Sequence, residues 1–246
     1  MPACYLYAIT QAAALAPVFL ASVGAGVHDL PLQMVIRDEL AAVISEWRSS
    51  RLSGSHGAAE TDLWRHEQVI EGIMEQGPTL PVRFGTTLAD AEQVYQLLGM
   101  RAADFTADLA YVADRVEMGV RILWEPPVGV EQAAPEHAEG LSPGRAYLQQ
   151  QIVKRKQERL MRTQGETFVA ALNATLQPFF VDTRVQILPT ERLLLSAAYL
   201  VKQTLVDSFL AQVEALRTRY PSFAFLSSGP WPAYHFVSNA QLTGNL

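Results

Sequence analysis

The chain has 246 residues, of which 49% are hydrophobic and 18% are charged, and its formal net charge is −6. This composition excludes a disordered protein, because disordered chains combine low hydrophobicity with high net charge. The acidic excess disfavours nucleic-acid binding, whose affinity comes from neutralising phosphates. The single cysteine, Cys4, excludes an internal disulfide and a multi-cysteine zinc site, and it fits a reducing cytoplasm.

The first 27 residues carry no Asp, Glu, Lys or Arg, so a membrane segment or a secretory signal has to be considered. A signal peptide begins with basic residues, and none occur here. A membrane helix needs about 20 predominantly apolar residues, whereas Thr10, Gln11 and Pro17 interrupt this run. The pattern instead predicts a buried strand over residues 4–10.

The hydrophobic periodicity that follows predicts an α+β domain over residues 1–125, with helices packed on a sheet. Asp62 is the expected N-cap of a helix that Gly77-Pro78 ends. A helix break is expected near Gly99. After the first strand, the predicted elements are a hairpin over 31–47, a helix over 62–76, a strand over 79–84, a helical region over 87–115 and a strand over 116–125.

Residues 126–144 contain four prolines and three glycines, which is typical of a linker between domains. The second domain, residues 145–246, is predicted to be ferredoxin-like, with a long leading helix and an extended C-terminal tail. Its helices are expected to pack on a mixed or antiparallel sheet. The predicted elements are a helix over 143–179, strands over 183–188 and 192–201, a helix over 206–219 and a strand over 222–227.

The sequence carries no recognisable catalytic, cofactor-binding or metal-binding motif. His66-Glu67 begins like the zinc-binding pattern H-E-x-x-H, but Ile70 stands where the second histidine is needed. His66 lies on an apolar helix face, which predicts a hydrogen-bonded core histidine. We therefore expect a protein without enzymatic activity, cofactor or metal.

Two surface features are candidates for partner binding. Arg155, Arg159 and Arg162 lie on one face of the predicted long helix, which is consistent either with a docking patch for an acidic partner or with a solvated helix face. The C-terminal segment places Trp231, Tyr234 and Phe236 among prolines. These aromatic residues either pack back on their own domain or anchor a partner, since aromatic side chains dominate interface anchors.

Seven stretches of the chain are distinctive when taken together: YLYAI at 5–9, ELAAVIS at 39–45, HE at 66–67, GPTLPVRFGT at 77–86, EMGV at 117–120, GRAYL at 144–148 and GPWP at 229–232. They resemble those of the gas vesicle protein F/L family (GvpF/GvpL), in family order along nearly the whole chain. Leu88 and Ala233 are small departures, since the family usually has an aromatic residue at the first position and a second proline at the other.

The resemblance implies a non-enzymatic accessory or minor structural protein of gas vesicle assembly. Its implied partners are the hydrophobic shell protein and other accessory proteins. The acidic charge and the interrupted N-terminal run predict no nucleic-acid partner and no membrane span. Its implied location is the cytoplasm, in association with gas vesicles. The expected partner-binding residues are Trp231, Tyr234, Phe236, Arg83, Arg155, Arg159 and Arg162.

The alternative is a ligand-sensing regulatory protein built from two ferredoxin-like domains, which a metabolite would stabilise against heat in a saturable manner.

Overall fold

The computed structural model describes residues 3–15, 20, 23–47, 56–124, 143–187 and 193–237. The predicted linker over 126–144, apart from its last two residues, lies outside the described residues. Within the described ranges the chain forms two sheets and five α-helices. The α+β class predicted from the sequence is confirmed.

The first sheet is antiparallel, with strand order β2-β3-β1-β4 and with β5 also paired to β1. Its central strand β1 is buried from Cys4 to Thr10, as predicted from its mostly apolar sequence. The first five strands are β1 (Ala3–Gln11), β2 (Leu32–Arg37), β3 (Leu40–Trp47), β4 (Thr79–Pro81) and β5 (Thr87–Leu88).

Three helices accompany this sheet, and two of them begin at positions that differ from the prediction. The first helix starts six residues before the predicted cap Asp62, whose carboxylate instead lies 3.1 Å from the Nε2 atom of His28. The second is capped by Asp90, which accepts a hydrogen bond from the Gln93 amide, because Thr87 pairs with β1. The helices are α1 (His56–Met74), α2 (Ala91–Met100) and α3 (Ala102–Val112), and the expected break separates α2 from α3.

The second sheet has strand order β7-β8-β6-β9 and carries two helices. Both sheets therefore show the same order relative to the chain, in which the first strand lies between the third and the fourth. This is the ferredoxin-like order that the sequence predicted for the second domain. The elements are β6 (Arg115–Trp124), α4 (Pro143–Leu176), β7 (Asp182–Ile187), β8 (Leu193–Lys202), α5 (Val206–Arg219) and β9 (Phe223–Trp231).

The chain divides into two compact units that are not simply consecutive. Unit 1 runs to Glu117 and resumes at Pro230, and unit 2 spans Met118–Gly229. The sequence placed residues 116–125 in the first domain and the tail in the second. The division differs because β6 pairs with β8 and β9, whereas residues 232–237 pack within unit 1.

Candidate functional site

The resemblance-bearing residues of unit 1 converge on one buried imidazole. His66 lies on α1 and is fully buried, with rings of Tyr5 and Tyr7 at centroid distances of 5.6 Å. Its Nε2 atom lies 2.9 Å from the carbonyl oxygen of Val82, and its Nδ1 atom lies 3.1 Å from the hydroxyl oxygen of Tyr5. The predicted hydrogen-bonded core histidine is thus confirmed at this position.

These contacts fix the protonation of His66. A carbonyl oxygen only accepts hydrogen bonds, so the proton of the neutral ring is on Nε2 and Nδ1 accepts from the Tyr5 hydroxyl. The Tyr5 hydroxyl in turn accepts the amide hydrogen of Gly85 over 2.9 Å. Burial disfavours the charged ring and lowers the pKa of His66 from its ordinary 6.5 to about 4.

The same network holds the segment 82–86 in place. Val82 donates its amide hydrogen to the carbonyl oxygen of Tyr7, and Leu6 donates to that of Thr86. Gly85 adopts φ +85°, a conformation that a residue with a Cβ atom rarely takes. With the backbone fixed in this way, the side chains of Arg83 and Phe84 are left at the surface.

The C-terminal tail is anchored to unit 1 through two carboxylates. The Tyr234 hydroxyl donates to Oε1 of Glu67 over 3.1 Å, and burial raises the pKa of both groups. The buried carboxylate of Glu117 accepts the His235 amide hydrogen over 2.9 Å and lies 2.6 Å from the Nδ1 atom of the same residue. Both glutamates are more than 100 residues away from the tail in the sequence, so these hydrogen bonds are long-range contacts.

The three tail aromatics therefore differ in their availability to a partner. Phe236 is buried, Tyr234 is half-buried, and the Trp231 side chain is 42% exposed. The prediction treated all three alike. Of these three side chains, only that of Trp231 is largely accessible to a partner. Tyr234 and Phe236 hold the segment after Trp231 in place through their buried contacts.

Three exposed apolar side chains of unit 1 were not singled out from the sequence. Trp64 is 66% exposed and Leu63 is 42% exposed, and both lie on α1 one turn before Glu67. Phe84 is 40% exposed, and its ring meets the His66 ring at 5.6 Å. We call Leu63, Trp64 and Phe84 the Trp64 surface. Its signal in the sequence is a tryptophan on the helix face opposite the buried residues.

The remaining predicted residues lie in separate places. Arg83 is exposed beside Phe84 in unit 1, whereas Arg155, Arg159 and Arg162 are exposed on α4 in unit 2. The candidate partner-binding residues therefore form two groups, one in each unit, rather than one site within a unit.

Two further findings concern the part of the chain that the structure describes. None of its helices combines the length and the apolarity that crossing a membrane requires. Across the same residues, no three His, Cys, Asp or Glu side chains cluster in a way that would hold a metal ion.

Comparison with known proteins gives a consistent result. The family described as "Gas vesicle synthesis protein GvpL/GvpF" matches residues 3–238. Gas vesicle protein F of a Streptomyces species is 22% identical over 87% of this chain and 91% of its own length. Gas vesicle protein F of Dolichospermum flosaquae is 23% identical over 80% of this chain and 86% of its own length.

Two crystal structures share the fold over nearly the whole chain. GvpF of an Anabaena species superposes with a TM-score of 0.74 at 22% identity, covering 96% of both chains. GvpF of Microcystis aeruginosa gives a TM-score of 0.71 at 18% identity, covering 96% of this chain and 99% of its own. The α+β arrangement described above is therefore that of known structures.

Proposed function

The chain belongs to the GvpL/GvpF family of gas vesicle synthesis proteins, and we propose that it binds the hydrophobic shell protein as a non-enzymatic accessory protein of vesicle assembly. Membership of the family supports a role in gas vesicle assembly and an association with gas vesicles in the cell. The binding of shell protein through unit 1 is the finer step that this proposal adds.

The observation that carries the proposal is the Trp64 surface. Leu63, Trp64 and Phe84 are large apolar side chains of unit 1, each at least 40% exposed, and Phe84 lies in the segment that the His66 network holds in place. Exposed apolar surface on a well-packed scaffold is typical of a protein interaction site. Tryptophan in particular is enriched among the residues that dominate binding energy.

The proposed mechanism is transient covering of the shell protein. Apolar subunits with open sheet edges aggregate through those edges before they assemble. A rigid apolar surface that binds them first prevents this association and releases them at the growing vesicle. Arg83 borders Phe84 and lies at the rim of the proposed contact, and Trp231 is proposed to extend it, while Tyr234 and Phe236 position the tail.

The double substitution Trp64→Ala with Phe84→Ala is expected to lower the affinity for purified shell protein at least tenfold. Removal of one buried aromatic anchor typically costs about 2 kcal/mol or more of binding energy, which corresponds to about 30-fold. Binding of the full-length chain is measured by calorimetry, and vesicle formation is scored by electron microscopy after complementation of a deletion.

The matched control is Met100→Ala with Leu226→Ala, which removes two other exposed apolar side chains. Its affinity is expected to stay within twofold of wild type, and the melting temperatures of both variants within a few degrees. Equal affinity of the Trp64 variant and wild type would refute the proposed contact.

A further inference from the structure

The N-terminal half of α4 carries three of the predicted partner-binding residues and has no part in the proposed shell-protein contact. The helix is 34 residues long, and its C-terminal part packs in unit 2, where Leu172 and Leu176 are buried. Phe168 contacts the ring of Phe223 at 4.7 Å. Over residues 143–164, by contrast, every side chain that the structure describes is exposed except the half-buried Gln151. We call residues 143–164 the α4 arm.

Five of the exposed residues of the α4 arm form one stripe. Leu148, Ile152, Arg155, Arg159 and Arg162 follow one another at alternating steps of four and three residues. This spacing keeps residues on one side of a helix over several turns and is the heptad spacing of a coiled-coil seam. Leu148 and Ile152 are at least 60% exposed, so the stripe begins with an apolar pair and continues with three arginines.

The charge of the α4 arm is opposite to that of the rest of the protein. The arm carries six basic residues and one acidic residue, a net charge of +5, whereas the whole chain carries −6. The remaining residues therefore carry −11. Such a concentration of positive charge on one exposed helix attracts an acidic partner, and this attraction also accelerates the encounter.

We propose that the α4 arm binds an acidic amphipathic helix of another protein, which lies along the stripe. The apolar pair supplies the buried contact, and carboxylates of the partner face Arg155, Arg159 and Arg162. Arginine pairs with carboxylates through two parallel hydrogen bonds, which favours a partner with matching spacing. The inference does not rest on the Trp64 surface, which lies in unit 1.

Two other occupants fit the stripe less well. A second α4 arm, aligned in either direction, places arginine against arginine at the centre of the seam, where like charges repel. An anionic membrane attracts basic helices, but membrane-surface helices need an apolar face along their length. Here the apolar residues of the stripe are confined to its first two positions.

The test uses the full-length chain and synthetic helical peptides of 21 residues. Each peptide has an alanine-rich background, two leucines and three glutamates at four-three spacing, with the order reversed in a second peptide to allow both directions. A twin of each peptide carries lysine in place of glutamate. Binding is measured by fluorescence anisotropy at 50 mM and 300 mM salt.

We expect one glutamate peptide to bind at least tenfold more tightly than its lysine twin and to weaken severalfold at the higher salt. The variant Arg155→Glu/Arg159→Glu/Arg162→Glu is expected to lose at least tenfold in affinity. The control Lys202→Glu/Arg217→Glu/Arg219→Glu has the same change in net charge within unit 2 and is expected to stay within twofold. Circular dichroism checks that both variants keep their helix content.

Equal binding of the glutamate and lysine peptides, or unchanged binding by the α4 variant, would overturn the inference. Flotation of the chain with phosphatidylserine vesicles in place of peptide binding would also overturn it and assign the arm to a membrane. The α4 variant is expected to bind shell protein like wild type. The two proposals can therefore fail independently. Peptide binding tests the α4 arm, and shell-protein binding tests the Trp64 surface.

Discussion

His66→Leu is expected to lower the free energy of unfolding by about 3 kcal/mol at pH 7.5, although leucine matches the volume and apolarity of the site. The substitution leaves the Tyr5 hydroxyl and the Val82 carbonyl without their partner in a buried place. Each buried group that loses its hydrogen bond costs about 1–3 kcal/mol. Urea denaturation measures the change, and Gln68→Leu at an exposed position of the same helix serves as the control.

The same residue predicts the pH dependence of stability. The pKa of His66 is about 4 in the folded protein and 6.5 ordinarily. Between these values the unfolded chain binds more protons than the folded one, so stability falls as the pH falls. The His66 contribution is complete above about pH 7, and about 3 kcal/mol of it is lost by pH 4. His66→Leu should remove this part of the slope, and an unchanged slope would contradict the assignment.

Phe236→Ala is expected to have the second large effect, a loss of about 3–5 kcal/mol in the free energy of unfolding. A buried phenylalanine that is truncated loses its transfer energy and leaves a cavity. Trp231→Ala, five residues earlier, removes a larger but half-exposed side chain and should cost about 1 kcal/mol or less. Thermal and urea denaturation of the two variants measure this difference.

The variant with the smaller loss of stability, Trp231→Ala, is expected to show the larger loss of affinity for shell protein. Trp231→Ala should weaken shell-protein binding while it keeps the wild-type melting temperature within a few degrees. Phe236→Ala should weaken binding less than Trp231→Ala does, at temperatures where it remains folded. Equal destabilisation by the two substitutions would refute the distinction between an anchoring and a contacting aromatic residue.

Local patterns explain which elements could be predicted from the sequence. The hairpin of β2 and β3 follows from alternating residues around the turn at Asp38 and Glu39, and α1 ends before Gly77-Pro78 as expected. The start of α1 was wrong because Asp62 pairs with His28, which is 34 residues away. A capping preference is read from neighbouring residues alone, so it cannot predict that a residue distant in the sequence binds the same carboxylate.

The division into units depends on contacts that no local pattern contains. The apolar run of β6 is compatible with either sheet, and only its pairing with β8 and β9 decides between them. The hydrogen bond between Tyr234 and Glu67 joins residues 167 positions apart. The helical period correctly placed the three arginines of α4 on one face, but it gave no reason to single out Trp64.

The return of the tail to unit 1 has a consequence for how the protein is made. Phe236 and its neighbours are synthesised after unit 2, yet they complete the core of unit 1, whose other residues are synthesised before unit 2. The 112 residues of Met118–Gly229 come between. At roughly 5–20 residues per second, unit 1 waits about 6–20 s for its final segment. During that interval unit 2 is already being synthesised, so the first unit to begin folding is the last to be finished.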